Sequence, residues 1–510
     1  MNSVAQATST SEWLDVVIIG AGLSGIGAAV HLQRECPGKR FAILEMRGAM
    51  GGTWDLFRYP GIRSDSDMYT LGYNFKPWTR PKAIADGHDI RAYIEETAAE
   101  FGVDRHIRYR HKVLSADWSS RSARWTLQVL RLDTGDIEHL QTRFIMCGAG
   151  YYNYDKGITP DFVDSDKFQG QIVHPQFWPQ DLDYSGKRVV VIGSGATAVT
   201  LVPAMTDKAA QVTMLQRSPG YVMTLPQKDP FISGLRKVFA EPVVYGATRA
   251  RNVLLGMAFY GFSRAYPERM RKFVMNQTRK QLGPQFDMKH FSPSYNPWDQ
   301  RLCAVPDGDL FTAIRQGRAD VVTDHIERFT QTGIKLKSGA ELQADIIVTA
   351  TGLDVQIIGG MQLTLDGQPV KLSDKLYYKG AMLEDVPNMC MIFGYTNSSW
   401  TLKADLISQY FCRVLNYMDT HNVQQCTPRS MGRAQKSEPF LNLTSGYVQR
   451  VIDQLPWQGD QRPWKMYQNY LQDYRTLKLG RINDNVLVFS NPLPTSYGYE
   501  LAPVAAGATL

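Results

Sequence analysis

The chain has 510 residues, 44% of them apolar and 21% charged, and a net charge of +7. Such a length exceeds what one hydrophobic core organises, so two or three domains are expected. The mild basic excess, without RNP, zinc-finger or helix-turn-helix patterns, excludes a nucleic-acid partner as the primary reading. The six cysteines are scattered and form no CxxC pair, as in a reducing compartment. The polar N-terminal tail, MNSVAQATSTSEW, lacks the basic start and apolar stretch of a secretory leader. No run reaches the ~18–20 apolar residues of a transmembrane segment. A cytoplasmic location is expected.

After that tail, LDVVIIG (Leu14–Gly20) predicts a buried parallel strand, because its apolar character is continuous. It runs into G-x-G-x-x-G at Gly20, Gly22 and Gly25, then a predicted helix, then the strand FAILE (Phe41–Glu45). These glycines permit a tight turn and close approach of backbone to a pyrophosphate at the helix N-terminus. Glu45, 20 residues after Gly25, is placed to accept hydrogen bonds from ribose hydroxyls. The following segment, Gly51–Asp67, contains no cysteine, which excludes the redox pair of a disulfide reductase.

RFIMCGAG (Arg143–Gly150) is the next strong strand signal. RVVVIG (Arg188–Gly193) then opens a second unit, with Gly193, Ser194, Gly195, Ala196, Thr197 and Ala198 as its turn and VTMLQR (Val212–Arg217) as its return strand. Here no acid ends the second strand; Gln216, Arg217 and Ser218 stand there instead. A guanidinium binds a 2′-phosphate through a charge-assisted fork, whereas a carboxylate repels it. The first site is therefore expected to take FAD and the second NADPH. Residues 221–291 read as helical and rich in Arg, Lys and aromatics; the ordinary reading is a solvated face, with peripheral membrane contact left open. DIIVTATG (Asp345–Gly352) repeats the pattern of Arg143–Gly150, as expected if the second unit is inserted in the first. The predicted fold is α/β: two Rossmann-like dinucleotide-binding domains, the NADP domain inserted in the FAD domain, with a helical insert. The expected divisions are 1–150 (FAD domain), 151–220 (NADP domain), 221–295 (helical insert), 296–350 (NADP domain) and 351–510 (FAD domain and C-terminal extension).

Just before the second unit, FQGQIVHPQFWP places Phe168, Gly170, His174, Trp178 and Pro179 in the spacing F-x-G-x-x-x-H-x-x-x-W-P. This resembles the fingerprint of Baeyer–Villiger monooxygenases, in which heteroatom-oxidising relatives usually carry Tyr or Phe at the position of Trp178. The pattern GGxWxxxxYPGxxxD, from Gly51 through Trp54, Tyr59, Pro60 and Gly61 to Asp65, is similar to a second family motif. The segments GYYNYD, NPWDQRLC and YTNSSWTLKADL look most like the ethionamide-activating subgroup. The resemblance implies oxygen insertion next to a ketone carbonyl through a C4a-peroxyflavin, with sulfoxidation of thioethers or thioamides beside it. It implies Arg301 as the fixed cation and Asp65 as its partner, with His174 supporting domain movement. Arg63 and Ser64 are expected on the nicotinamide side, and Thr53 and Trp54 against the flavin. Val113 is expected at the adenine, with Ser24, Gly52 and Leu71 as further cofactor contacts. Gln300 replaces the family's usual lysine and leaves more of the NADP contact to Arg217. Small-molecule ketones or thioethers and O2 are the expected partners. A heteroatom monooxygenase and an NADPH oxidase without organic substrate are the competing classes, and no metal site is expected.

Overall fold

The computed structural model describes residues 12–492; the polar tail before Glu12 and the last part of the C-terminal extension lie outside the described residues. The first βαβ unit consists of β1 (Glu12–Ile19), α1 (Leu23–Glu35) and β2 (Phe41–Glu45). It is continued by β3 (Ile107–Tyr109), β4 (His111–Ser119), β5 (Arg124–Arg131) and β6 (Ile137–Cys147). β1 lies between β2 and β6 and is parallel to both, fully buried from Val16 to Ile18. Such two-sided burial explains the continuous apolar run. The outer strands β4 and β5 pair antiparallel, and β5 continues antiparallel onto the first half of β6.

At Cys147 the chain leaves this sheet through β7 (Tyr152–Gly157). A second sheet forms from β8 (Gln171–Val173), β9 (Arg188–Ile192) and β10 (Gln211–Gln216), with α2 (Ala196–Met205) crossing over from β9 to β10. β11 (Val222–Leu225) and β12 (Cys303–Pro306) then pair apart from it. β13 (Ala319–Thr323) adds to its edge, β14 (Ile326–Thr330), β15 (Gly333–Leu336) and β16 (Glu341–Gln343) form a small meander, and β17 (Ile346–Thr349) completes the sheet. The order is β13-β10-β9-β17-β8, all parallel. The segments Arg143–Gly150 and Asp345–Gly352 thus hold equivalent places, each beside the glycine-turn strand of its sheet.

The chain returns through β18 (Leu353–Val355), antiparallel to β7, so the two sheets are joined by a double ribbon. β19 (Gln362–Leu365) then pairs parallel with β4, and the strand Met389–Met391 pairs with the second half of β6. Between β11 and β12 lie α3 (Glu241–Ala265) and α4 (Pro267–Leu282). The expected all-helical stretch therefore opens with a strand, Val222–Leu225, stabilised by pairing with residues 81 positions away in sequence. A further long helix, α5 (Trp400–Thr420), packs along α1 through a buried face.

The Phe168–Pro179 segment grips the ribbon. The His174 ring lies so close to Gly157 that a Cβ there would fall 2.3 Å from its Cε1. The Gln176 side-chain amide donates to the carbonyls of Asn153 (2.9 Å) and Tyr154 (3.1 Å) on the same strand. A Cβ on Gly170 would meet the Asp345 carbonyl at 2.3 Å and the Phe168 ring at 2.5 Å. Phe168, Gly170 and His174 thus flank β8, the edge strand of the second sheet, and seat the segment between that sheet and the ribbon. Burial lowers the His174 pKa.

Candidate active site

Between the two sheets runs a cleft of about 1980 Å³, including its open mouth. The first glycine turn forms one end. Gly20 has φ +95°, and a Cβ on it would lie 2.8 Å from the Gly148 carbonyl; a Cβ on Gly25 would lie 1.8 Å from the Gly20 carbonyl. Gly20, Gly22 and Ser24 line the cleft, whereas Gly25 is buried behind it at the strand–helix contact. Gly52, with φ +56°, faces Gly22 so closely that its Cβ would stand 3.0 Å from the Gly22 Cα. That flat, side-chain-free cradle with the N-terminus of α1 fits a dinucleotide pyrophosphate.

Glu45 lies at the end of β2 and lines the same cleft. Its oxygens accept from the Ala21 amide (2.7 Å) and the Arg47 amide (2.8 Å). Burial raises its pKa, against those two amides and the Arg47 charge, which favour the carboxylate. Each oxygen keeps a lone pair, as a ribose diol requires. Val113, at a bulge in β4, together with Thr53, Trp54 and Leu71, also lines the cleft. Thr53 shares a short hydrogen bond with the Tyr152 hydroxyl.

The second glycine turn differs in shape. Gly193 has φ +141°, with a would-be Cβ 2.3 Å from the Ala350 carbonyl, while Gly195 has open space above it. Ala196 and Thr197 line the cleft, and Ala198 is fully buried, replacing the third glycine at the helix contact. Gly193, Ser194, Gly195, Arg217, Ser218 and Gln300 stand outside the cleft lining. Ser194 Oγ donates to the Ser218 carbonyl (3.0 Å). Arg217 is exposed and has no ion-pair partner among the described residues. An open turn at a helix N-terminus beside an unpaired guanidinium fits a phosphorylated dinucleotide.

At the junction of the two halves Arg301 meets Asp65, 236 residues away, through a two-bond fork: Nε and Nη2 donate to Oδ2 and Oδ1, each at 2.9 Å. The Arg301 side chain remains 40% exposed, into the cleft. The Asp65 carboxylate raises its pKa further, so it is a permanent cation. The neighbouring Cys303 thiol is pushed up to about 12 by burial and Asp65, and stays protonated. Arg63 and Ser64 line the cleft next to Asp65, but the Arg63 guanidinium is held by Asp309, and the Ser64 hydroxyl caps the Ser66 amide at 2.9 Å.

The sequence reading gave no role to an aromatic wall on this cleft. Tyr151 stacks on Trp400 at 5.4 Å, and the Trp400 indole N–H donates to Ser24 Oγ at 2.8 Å. Both residues lie in GYYNYD and YTNSSWTLKADL, where runs of aromatics beside glycine or serine are the available signal. Also unassigned was Asp55, buried beside the cleft and paired with Arg47, Arg58 and Arg91.

A flavin-binding monooxygenase-like family profile matches residues 80–358, and an NAD(P)-binding Rossmann-like domain profile matches residues 18–78. The FAD-containing monooxygenase EthA of Mycobacterium tuberculosis is 54% identical over 487 residues, covering 95% of this chain and 99% of its own length. Among solved structures, an oxidized steroid monooxygenase bound to NADP superposes with a TM-score of 0.73 at 22% identity, covering 94% of this chain and all of its own. The OTEMO complex with FAD and NADP gives 0.70 at 20% identity, covering 94% and 99%. These two structures show a common fold.

Proposed function

The chain belongs to the flavin-binding monooxygenase-like family, in its EthA-like subgroup, and on that premise we propose that it is an FAD- and NADPH-dependent Baeyer–Villiger monooxygenase. Ketone, O2, NADPH and a proton would give ester or lactone, NADP+ and water, with sulfoxidation of thioethers and thioamides as a second activity. Residues 1–150 and 351–510 are assigned to FAD, residues 151–220 and 296–350 to NADP, and 221–295 to the helical insert. Bound together, the two cofactors supply hydride transfer and oxygen activation.

The observation that carries this reading is the forked Asp65–Arg301 pair facing the cleft between the two glycine turns. Oxygen insertion beside a carbonyl develops negative charge on oxygen. A preorganised cation is then the main electrostatic need. Asp65 holds the Arg301 fork in one plane, leaving its remaining N–H groups for that charge. Glu45 binds the ribose hydroxyls of FAD, and the Gly20–Gly22–Gly52 cradle admits its pyrophosphate. Arg217 takes the 2′-phosphate of NADP beside Ser194. Tyr151 and Trp400 close one wall with apolar surface and restrict water.

The test is turnover of an aliphatic ketone with NADPH under ¹⁸O₂, with products analysed by mass spectrometry. One ¹⁸O atom in the ester is expected. Oxidation of amines or thioethers with no ester from any ketone would move the protein to the heteroatom class. Hydrogen peroxide equal to the NADPH consumed, with every substrate, would make it an oxidase.

A further inference from the structure

Helix α3 is inside out. From Pro242 to Phe262 every exposed position on it is Pro, Gly, Ala, Val, Leu or Phe. Val243 is 56% exposed, Leu254 56% and Leu255 60%. Within that stretch the charged side chains are turned toward partners, and Arg264 beyond it is exposed. Arg249 is 12% exposed and donates to the Tyr69 and Gly72 carbonyls, both at 2.8 Å, with Asp405 at 3.4 Å. Arg251 pairs with Asp229, and Asn252 donates to Asp67 at 2.9 Å. The solvated polar face expected for the segment is therefore missing from residues 242–262 and present on its flanks. A surface helix normally shows the opposite arrangement, and a continuous exposed apolar face marks an interaction surface.

The charge around it identifies the partner. Residues 228–280 hold eleven Lys and Arg against three Asp and Glu, an excess larger than that of the whole chain. Lys237, Arg269, Lys272, Arg279 and Lys280 are exposed and have no ion pair among the described residues. Lys237 precedes Val238 and Phe239, 75% and 51% exposed, and Lys272 precedes Phe273, 48% exposed. Apolar groups interleaved with unpaired cations match an acyl–headgroup boundary carrying anionic lipid. No described helix is long and apolar enough to cross a membrane, so the contact is interfacial.

We propose that α3 and its flanks dock on the surface of an anionic bilayer. A cavity behind the same helix lies open to that face: Gly256 and Gly261 are exposed on α3 and line it, and Tyr395 and Ser398 belong both to it and to the main cleft. Docking thus sets a passage for apolar molecules between the lipid boundary and the cleft. Binding to the bilayer itself does not depend on which reaction the cleft performs.

The test is flotation of the full-length, flavin-loaded protein with vesicles of phosphatidylcholine alone or with phosphatidylglycerol, at low and high salt. Binding to the anionic vesicles is expected, weakened by salt. The Leu254→Glu/Leu255→Glu variant should lose at least tenfold in partition coefficient. The milder Lys237→Ala/Lys272→Ala variant should lose about 25-fold, at about fivefold per surface charge, and retain the flavin absorbance spectrum. Equal flotation with neutral vesicles, or none with either, overturns the proposal. So does a dimer in analytical ultracentrifugation that Leu254→Glu/Leu255→Glu converts to monomer, which would make a second copy the occupant.

Discussion

Replacing Asp65 with Asn tests the electrostatic core of the site. The amide keeps one acceptor oxygen but turns the other into an N–H donor that faces the Arg301 guanidinium, so one of the two 2.9 Å bonds is lost. A hydrogen bond between charged groups contributes about 1.5–3 kcal/mol. Here Asp65 and Arg301 are 24% and 40% exposed, and screening reduces the loss to about 1–2 kcal/mol. If the fork orients the cation toward charge developing on oxygen, that is a drop of about 5–30-fold in ester formation. NADPH oxidation should persist with hydrogen peroxide replacing ester, and the flavin spectrum should be unchanged. Arg301→Lys, which keeps the charge without the fork, should fall in the same range or below it. Ester formation within twofold of the parent, fully coupled to NADPH, would refute the reasoning. Loss of bound flavin would instead make the pair a structural clamp.

Arg217→Ala should raise KM for NADPH about 10–100-fold and leave NADH turnover nearly unchanged, since only the 2′-phosphate contact is removed; initial rates with both nucleotides decide it. Gly157→Val places side-chain carbon inside the His174 ring, 2.3–2.6 Å from three of its atoms. That overpacking should cost about 1–3 kcal/mol, read as a lowered Tm, and should slow flavin reduction by NADPH in stopped flow if the ribbon is the hinge between the sheets. His31 gives a pH dependence. Burial opposes its protonation, but hydrogen bonds to Asp405 (3.3 Å) and Glu35 (3.0 Å) outweigh it and raise the pKa above 6.5. A raised folded-state value contributes stability that is complete below 6.5 and is lost as pH rises through the higher value. Thermal melts from pH 6 upward should show a declining Tm, and His31→Gln should flatten that slope.

Much of the fold was legible because its determinants are local. A strand buried on both faces must be continuously apolar, and a glycine turn must lack side chains where its backbone crowds Gly148 or Ala350. The places of Glu45 and Arg217 followed in the same way, since each sits at a fixed distance from its own glycine turn; Glu45 lines the cleft and Arg217 stands outside it. β7 and β11 were not. YNYDKG and VMTL carry no strong strand pattern, and both are held by partners far along the chain.

The site divides along the same line. Asp65 and Arg301 were identified through family resemblance, since either alone reads as an ordinary surface charge. Only the packing of the two sheets brings them within 2.9 Å. The sequence by itself determined two glycine turns, one followed by an acidic strand end and one by a basic strand end, because a βαβ unit carries its own phosphate-binding geometry. The tertiary structure alone decided where the charges of α3 point. Composition suggested a solvated basic helix, but Asp405, Asp229 and the carbonyls of residues 69–72 draw Arg249 and Arg251 inward. A helix has two sides, and its sequence states only what each residue is; which side meets water is set by what packs against the other.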